Sequence, residues 1–182
     1  MNALVVFESF FGNTEVVARA IAEALELSAH TSARARDQGH PQADAEAAEP
    51  AVDQVRALRV AEWEPYHLEG VDLLVVGSAT RKFRPSPGTQ AWLAKLAPGQ
   101  LAGVRVAAFD TRIDETKVGN AFVRFLMRRF GYAAEPIQKR LERAGGTVAG
   151  APAGFIVEDS EGPLREGETD RARAWARTLI AG

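Results

Sequence analysis

The chain has 182 residues, 46% apolar and 25% charged, with no cysteine and a formal net charge of −2. That length suits one domain able to bury about 70% of its unfolded surface, and the near-neutral charge gives no reason to expect nucleic acid as a partner. Without cysteine there is no disulfide, thiol nucleophile, iron–sulfur ligation or cysteine zinc site, and His30, His40 and His67 stand apart in polar stretches, so neither a metal site nor a catalytic residue is assigned.

The first predicted element is a strand, Ala3 to Phe7, followed by a short loop of Ser9, Phe10, Phe11, Gly12, Asn13 and Thr14. A helix follows over residues 14–27, because Val17, Ala20, Ile21, Ala24 and Leu25 recur at three- and four-residue steps. The first N–H groups of a helix have no intrahelical partner and lie at the positive end of its dipole. A loop with Gly12 for close approach and Ser9, Asn13 and Thr14 as donors is therefore a natural phosphate cradle. No lysine follows the glycine as in the triphosphate P-loop, and G-x-G-x-x-G is absent, which leaves a singly phosphorylated ligand.

Residues 28–53 are Ala-rich and polar, with Pro41 and Pro50, and read as an exposed, mobile insertion carrying at most a short helix near Asp44 to Ala48. A second strand is expected over Val55 to Val60. A third, Val71 to Gly77, is a continuous apolar run of the kind buried on both faces. Pro85, Ser86 and Pro87 open a helix bearing Trp92, Leu93 and Leu96, and Val104 to Phe109 is a fourth strand. Residues 117–130 form a basic amphipathic stretch in which Val118, Phe122, Phe125, Leu126 and Phe130 alternate with Arg124, Arg128 and Arg129. Its readings are a helix packed on the sheet, a homodimer contact, a lid over a ligand, or a membrane-surface helix. Helix Glu135 to Ala144 ends at Gly145 and Gly146, Phe155 to Glu158 is a fifth strand, and a last helix covers about Glu168 to Ile180.

Alternating strands and helices imply right-handed parallel crossovers and an α/β sheet covered on both faces. The first loop resembles that of the flavodoxin family, whose S/T-x-T-G-N-T segment holds the phosphate of FMN; Ser9, Gly12, Asn13 and Thr14 match it, and Phe10 and Phe11 replace hydroxyl-bearing residues. The resemblance, which also takes in "AAFDTR" and "FIVEDSEGPLREGE", covers most of the chain outside residues 28–53 and 114–131. It implies a single flavodoxin-like doubly wound five-stranded parallel sheet of order 2-1-3-4-5, with ligands beyond the carboxyl ends of strands one, three and four.

The ring system of a flavin is then expected at two further loops. In Gly77 to Gln90, Ala79, Thr80, Arg81 and Phe83 approximate both the flavodoxin pattern and the Pro-Thr-Arg-Phe-Gly of flavodoxin-like quinone reductases. Phe83 is either a flat surface for the ring or a residue tucked into the core. In Asp110 to Gly119, the ring-edge candidates are Asp110, Thr111 and Arg112; no aromatic residue stands there to stack on the flavin. The resemblance thus implies FMN as cofactor and an electron-transfer protein serving a redox partner or a small-molecule acceptor. A flavin-dependent NAD(P)H:quinone-type oxidoreductase and a flavin-free interaction module on the same fold are the alternatives. No apolar run approaches the roughly 18 residues that span a bilayer, and the first strand begins too early for a signal peptide, so the expected location is cytoplasmic.

Overall fold

The computed structural model describes residues 1–37, 53–81, 84–114 and 132–181. Its strands are β1 (Asn2–Glu8), β2 (Gln54–Arg59), β3 (Leu73–Arg81), β4 (Arg84–Pro85), β5 (Arg105–Ile113), β6 (Thr147–Val148) and β7 (Ala153–Val157). Its helices are α1 (Asn13–Asp37), α2 (Pro87–Ala94), α3 (Ala134–Arg143) and α4 (Glu168–Thr178). The parallel order is β2-β1-β3-β5, and the fifth position is shared by β6 and β7, both parallel to β5. The expected α/β class and 2-1-3-4-5 order therefore hold, with one interruption in the last strand.

That interruption is a local bulge. Val148 pairs with Val106 and Ala153 pairs with Phe109, so β5 advances three residues while the edge chain advances five. Pro152 lies in the gap and has no N–H to give the ladder.

The inner strands are buried on both faces, and alternate residues serve opposite layers. Ala3, Val5 and Phe7 of β1 pack with Leu73 and Val75 under Val17, Ile21 and Leu25 of α1 and Ala172 and Ala176 of α4. Leu4 and Val6 pack with Leu74, Val76 and Val106 under Trp92 and Leu93 of α2 and Ile137 and Leu141 of α3. Among the described residues, two helices thus cover each face.

Several boundaries differ from the sequence expectation. Helix α1 runs on to Asp37, ten residues into the stretch read as an insertion; its Ala- and Arg-rich composition favours helix even without an apolar stripe. Strands β3 and β5 continue past their apolar runs, to Arg81 and Ile113, so residues read as loops are paired strand ends. Ser78 and Ala79 pair with Asp110 and Thr111, and Thr80 and Arg81 turn back in an antiparallel pairing with Pro85 and Arg84. The expected short helix at 44–48, Phe83 and the basic helix over 117–130 lie outside the described residues.

Candidate functional site

The carboxyl ends of β1, β3, β5 and β7 border a cleft of about 690 Å³, a volume in the range of small-molecule sites. Of the residues singled out in the sequence, Ser9, Phe10, Phe11, Asn13, Thr14, Ala79, Thr80, Arg81, Thr111 and Arg112 lie on its wall.

At one end the β1–α1 loop turns into the helix at Gly12, whose φ of +88° is a left-handed value natural to glycine. The Gly12 carbonyl accepts the Val16 N–H at 2.9 Å, the first bond of α1. Among the described residues, the backbone N–H groups of Phe10 through Glu15 have no acceptor, and the buried Ser9 hydroxyl has no partner. Open N–H groups are normal at a helix start, but a buried hydroxyl is rarely left without a partner. The Glu15 carboxylate beside them is neutralised by Arg19 at 2.7 Å and by Arg59. This end of the cleft is therefore a donor-rich pocket in which the Glu15 charge is cancelled, with Glu161 as the carboxylate on its wall.

Two contacts fix the pocket to the rest of the fold. The Thr14 and Thr111 hydroxyls share a buried hydrogen bond of 2.8 Å. The Asn13 side-chain amide donates to the Glu161 carbonyl at 2.8 Å. Glu161 belongs to the loop after β7, which contributes Ser160 and Glu161 to the cleft. In that loop Gly162 has φ +117°, and a Cβ there would come within 2.7 Å of the Asn13 amide. The sequence reading noted this segment but assigned it no site residue; its cluster of Asp159, Ser160 and Gly162 after a strand was the available signal.

At the other end Asp110 lies beneath the wall rather than on it. It is fully buried, its carboxylate takes both Arg112 nitrogens at 2.5 and 2.8 Å, and it accepts the Ala134 N–H at 2.8 Å. Burial pushes its pKa above the usual carboxylate value, with Arg112 and the Ala134 N–H opposing. Arg112 in turn lies 3.6 Å from the Tyr132 ring centroid and fills the space a Cβ on Gly154 would need. Its charge is thus paired and its guanidinium packs against Tyr132 and Gly154. The Thr80 hydroxyl accepts the Ala133 N–H at 3.0 Å, which leaves its own proton to donate. Arg84, Pro85, Pro87, Gln90, Ile113 and Val157 complete the wall.

Below the cleft floor the Glu8 carboxylate accepts the Thr89 N–H at 2.8 Å and the Ser86 hydroxyl, so the N-terminus of α2 is already occupied by an internal anion. A second cleft, about 640 Å³, lies beyond Ser9 between α2 and the turn after β2. There Glu8 serves α2 and Arg59 is paired with Glu15, so the first cleft is the better candidate. Among the described residues no group of side chains has the makings of a metal site, and no helix is long and apolar enough to cross a membrane.

Solved structures with this architecture match the chain end to end. Flavodoxin 1 of Bacillus cereus superposes with a TM-score of 0.65 at 13% identity, over 99% of this chain and 97% of that one. A Streptococcus pneumoniae flavodoxin does so with 0.65 at 16% identity, over 100% and 99%. The fold is flavodoxin-like. A WrbA-like flavodoxin protein of Agrobacterium tumefaciens has the same fold, with a TM-score of 0.59 at 15% identity over 99% and 94% of the two chains. No family model matches the sequence, and no curated protein is similar to it by sequence. In this flavodoxin-like frame the cleft stands at the switch point, where the chain leaves β1 in one direction and β3 in the other.

Proposed function

We propose that this protein binds FMN in the first cleft and transfers electrons through it. The observation that carries the reading is the run of uncommitted backbone N–H groups from Phe10 to Glu15, in a loop whose Phe10, Phe11, Asn13 and Thr14 line one end of the cleft, with the buried, unpartnered Ser9 hydroxyl behind it. A phosphate monoester offers several strong acceptors and about two negative charges to such a set. The residues present fit the group, since an uncapped helix N-terminus with a buried orphan hydroxyl asks for an anion.

In this reading the backbone N–H groups of Phe10 to Glu15 hold the phosphate. Asn13 and Thr14 keep the loop in place through Glu161 and Thr111. Thr80 donates its free proton to the ring edge, and Ala79 and Thr111, at the paired ends of β3 and β5, border the ring on either side. Bound FMN supplies reversible uptake of one or two electrons, and the protein's part is to orient it and set its potential. Asp110, buried beneath the wall next to Thr111, keeps Arg112 paired and so offsets its charge at the cleft.

Arg81 and Arg84 also stand on the cleft and have no carboxylate partner among the described residues. They favour a second reading, a flavin-dependent reductase of quinones with a nicotinamide donor, because fixed positive charge makes a flavin easier to reduce. The test is direct. Fresh protein is scanned for flavin absorption and the apo form is titrated with FMN; a protein that stays colourless and takes up no FMN overturns the proposal. NAD(P)H consumption with a quinone separates the second reading from the first.

A further inference from the structure

The two residues that break the hydroxyl pattern of the phosphate loop, Phe10 and Phe11, are each about half exposed, at 48% and 49%. Their ring faces do not point into empty solvent. The Arg81 guanidinium carbon lies 4.6 Å from the Phe10 ring centroid and 5.7 Å from that of Phe11. Arg81 is the last residue of β3, so it reaches back from the ring side of the cleft over the loop at the phosphate end.

Stacking on an aromatic face uses the flat side of a guanidinium and leaves its N–H groups pointing outward in the plane. Among the described residues the Arg81 side chain has no hydrogen-bond acceptor and no carboxylate. The Glu15 carboxylate at the start of α1 is held by Arg19 and Arg59, and Glu161, the carboxylate on the cleft wall, makes no ion pair with Arg81. A planar cation with free donors is therefore shelved on two rings directly beside a set of uncommitted backbone N–H groups. The shelf limits its rotamers before any ligand arrives, which reduces the ordering cost of engaging one.

Resting on the FMN reading above, we infer that Arg81, positioned by Phe10 and Phe11, is the charged contact to the ligand's phosphate and makes the site selective for the phosphorylated flavin. In this chain a guanidinium on an aromatic shelf takes the place of the loop's two missing hydroxyl donors. The contact strengthens as the phosphate gains its second charge, around pH 6, and weakens with salt.

The test measures FMN and riboflavin affinities by quenching of flavin fluorescence, for the wild-type protein, Arg81→Met, Arg81→Lys and Phe10→Leu. Arg81→Met keeps a long side chain on the rings and removes the charge. It is expected to lower the FMN-to-riboflavin affinity ratio by roughly 10- to 100-fold, the range of a charge-assisted hydrogen bond. Arg81→Lys restores part of the ratio, Phe10→Leu lowers it less, and the rise in FMN affinity between about pH 5 and 7.5 flattens in Arg81→Met. A ratio unchanged in Arg81→Met, with both flavins weakened equally or neither, overturns the inference while leaving the FMN reading intact. Tighter FMN binding in that variant also overturns it, since the side chain then obstructs the pocket. Wild-type protein that binds neither flavin removes both readings. Circular dichroism and thermal melts show whether each variant is folded.

Discussion

Thr14 and Thr111, separated by 97 residues in sequence, join their hydroxyls at 2.8 Å beneath the cleft. One belongs to the first turn of α1 and the other to the end of β5, so this bond ties the β1–α1 loop to the end of β5. Replacing Thr111 by Val strands a buried hydroxyl and is expected to cost about 1–2 kcal/mol in urea unfolding. The Thr14→Val/Thr111→Val pair is expected to cost less than the sum of the single changes, because no orphan remains. Additive costs would show that the two hydroxyls do not depend on each other.

Asp110 offers a pH test. Its folded pKa is raised by burial above the unfolded value of 3.8. Between those two values the folded state holds a proton that the unfolded state has released, so stability falls as pH rises through the window. Relative to Asp110→Asn, the wild-type protein is therefore expected to lose stability between pH 3.8 and the higher folded value. Above it, Arg112 and the Ala134 N–H still favour the carboxylate over a side chain that cannot balance Arg112. Denaturant titrations across this range, on both proteins, check the sign; a wild-type advantage that grows with pH through the window contradicts it.

Gly162 and Asn13 form a tight pair across the cleft end. At φ +117°, with the Asn13 amide 2.7 Å from the would-be Cβ, Gly162→Ala is expected to be destabilising by about 1–3 kcal/mol. It should also weaken FMN binding by displacing Asn13 from the Glu161 carbonyl. Asn13→Ala removes one exposed hydrogen bond and is expected to cost only about 0.5–1.5 kcal/mol. Equal losses from the two changes would mean that the glycine's backbone conformation is not what matters.

The unpaired cations bear on the redox potential. Arg112 also stands on the cleft wall, but its ion pair with Asp110 cancels its charge. Arg84 is exposed on the cleft wall and has no carboxylate partner among the described residues. Arg84→Gln in FMN-loaded protein is expected to lower the flavin potential by roughly 10–40 mV, the scale of one partly screened charge. Raising the salt concentration should shrink the difference. A potential that stays put or rises in a dye-coupled redox titration removes Arg84 from the account.

The sequence alone determined the α/β class and the loop that opens α1 beside the cleft, and the resemblance carried by that loop supplied the strand order. The class and the loop follow from short-range patterns: apolar runs for strands buried on both faces, three- and four-residue steps for helices, and a glycine-led turn at the start of α1. The insertion reading failed over residues 28–37 because an Ala-rich helix carries little apolar periodicity. Both ring-side segments read as loops because polarity was taken as the end of a strand, whereas strand ends at a ligand cleft are polar by need.

Only the tertiary structure decided what each polar group does. In one dimension Asp110 and Arg112 are two more charges and Thr14 is one more donor. The fold buries the first pair against Ala134, ties Thr14 to Thr111, and lays Arg81 over Phe10. A side chain's chemistry is set by the partners and the water around it, and here those partners lie tens of residues away along the chain.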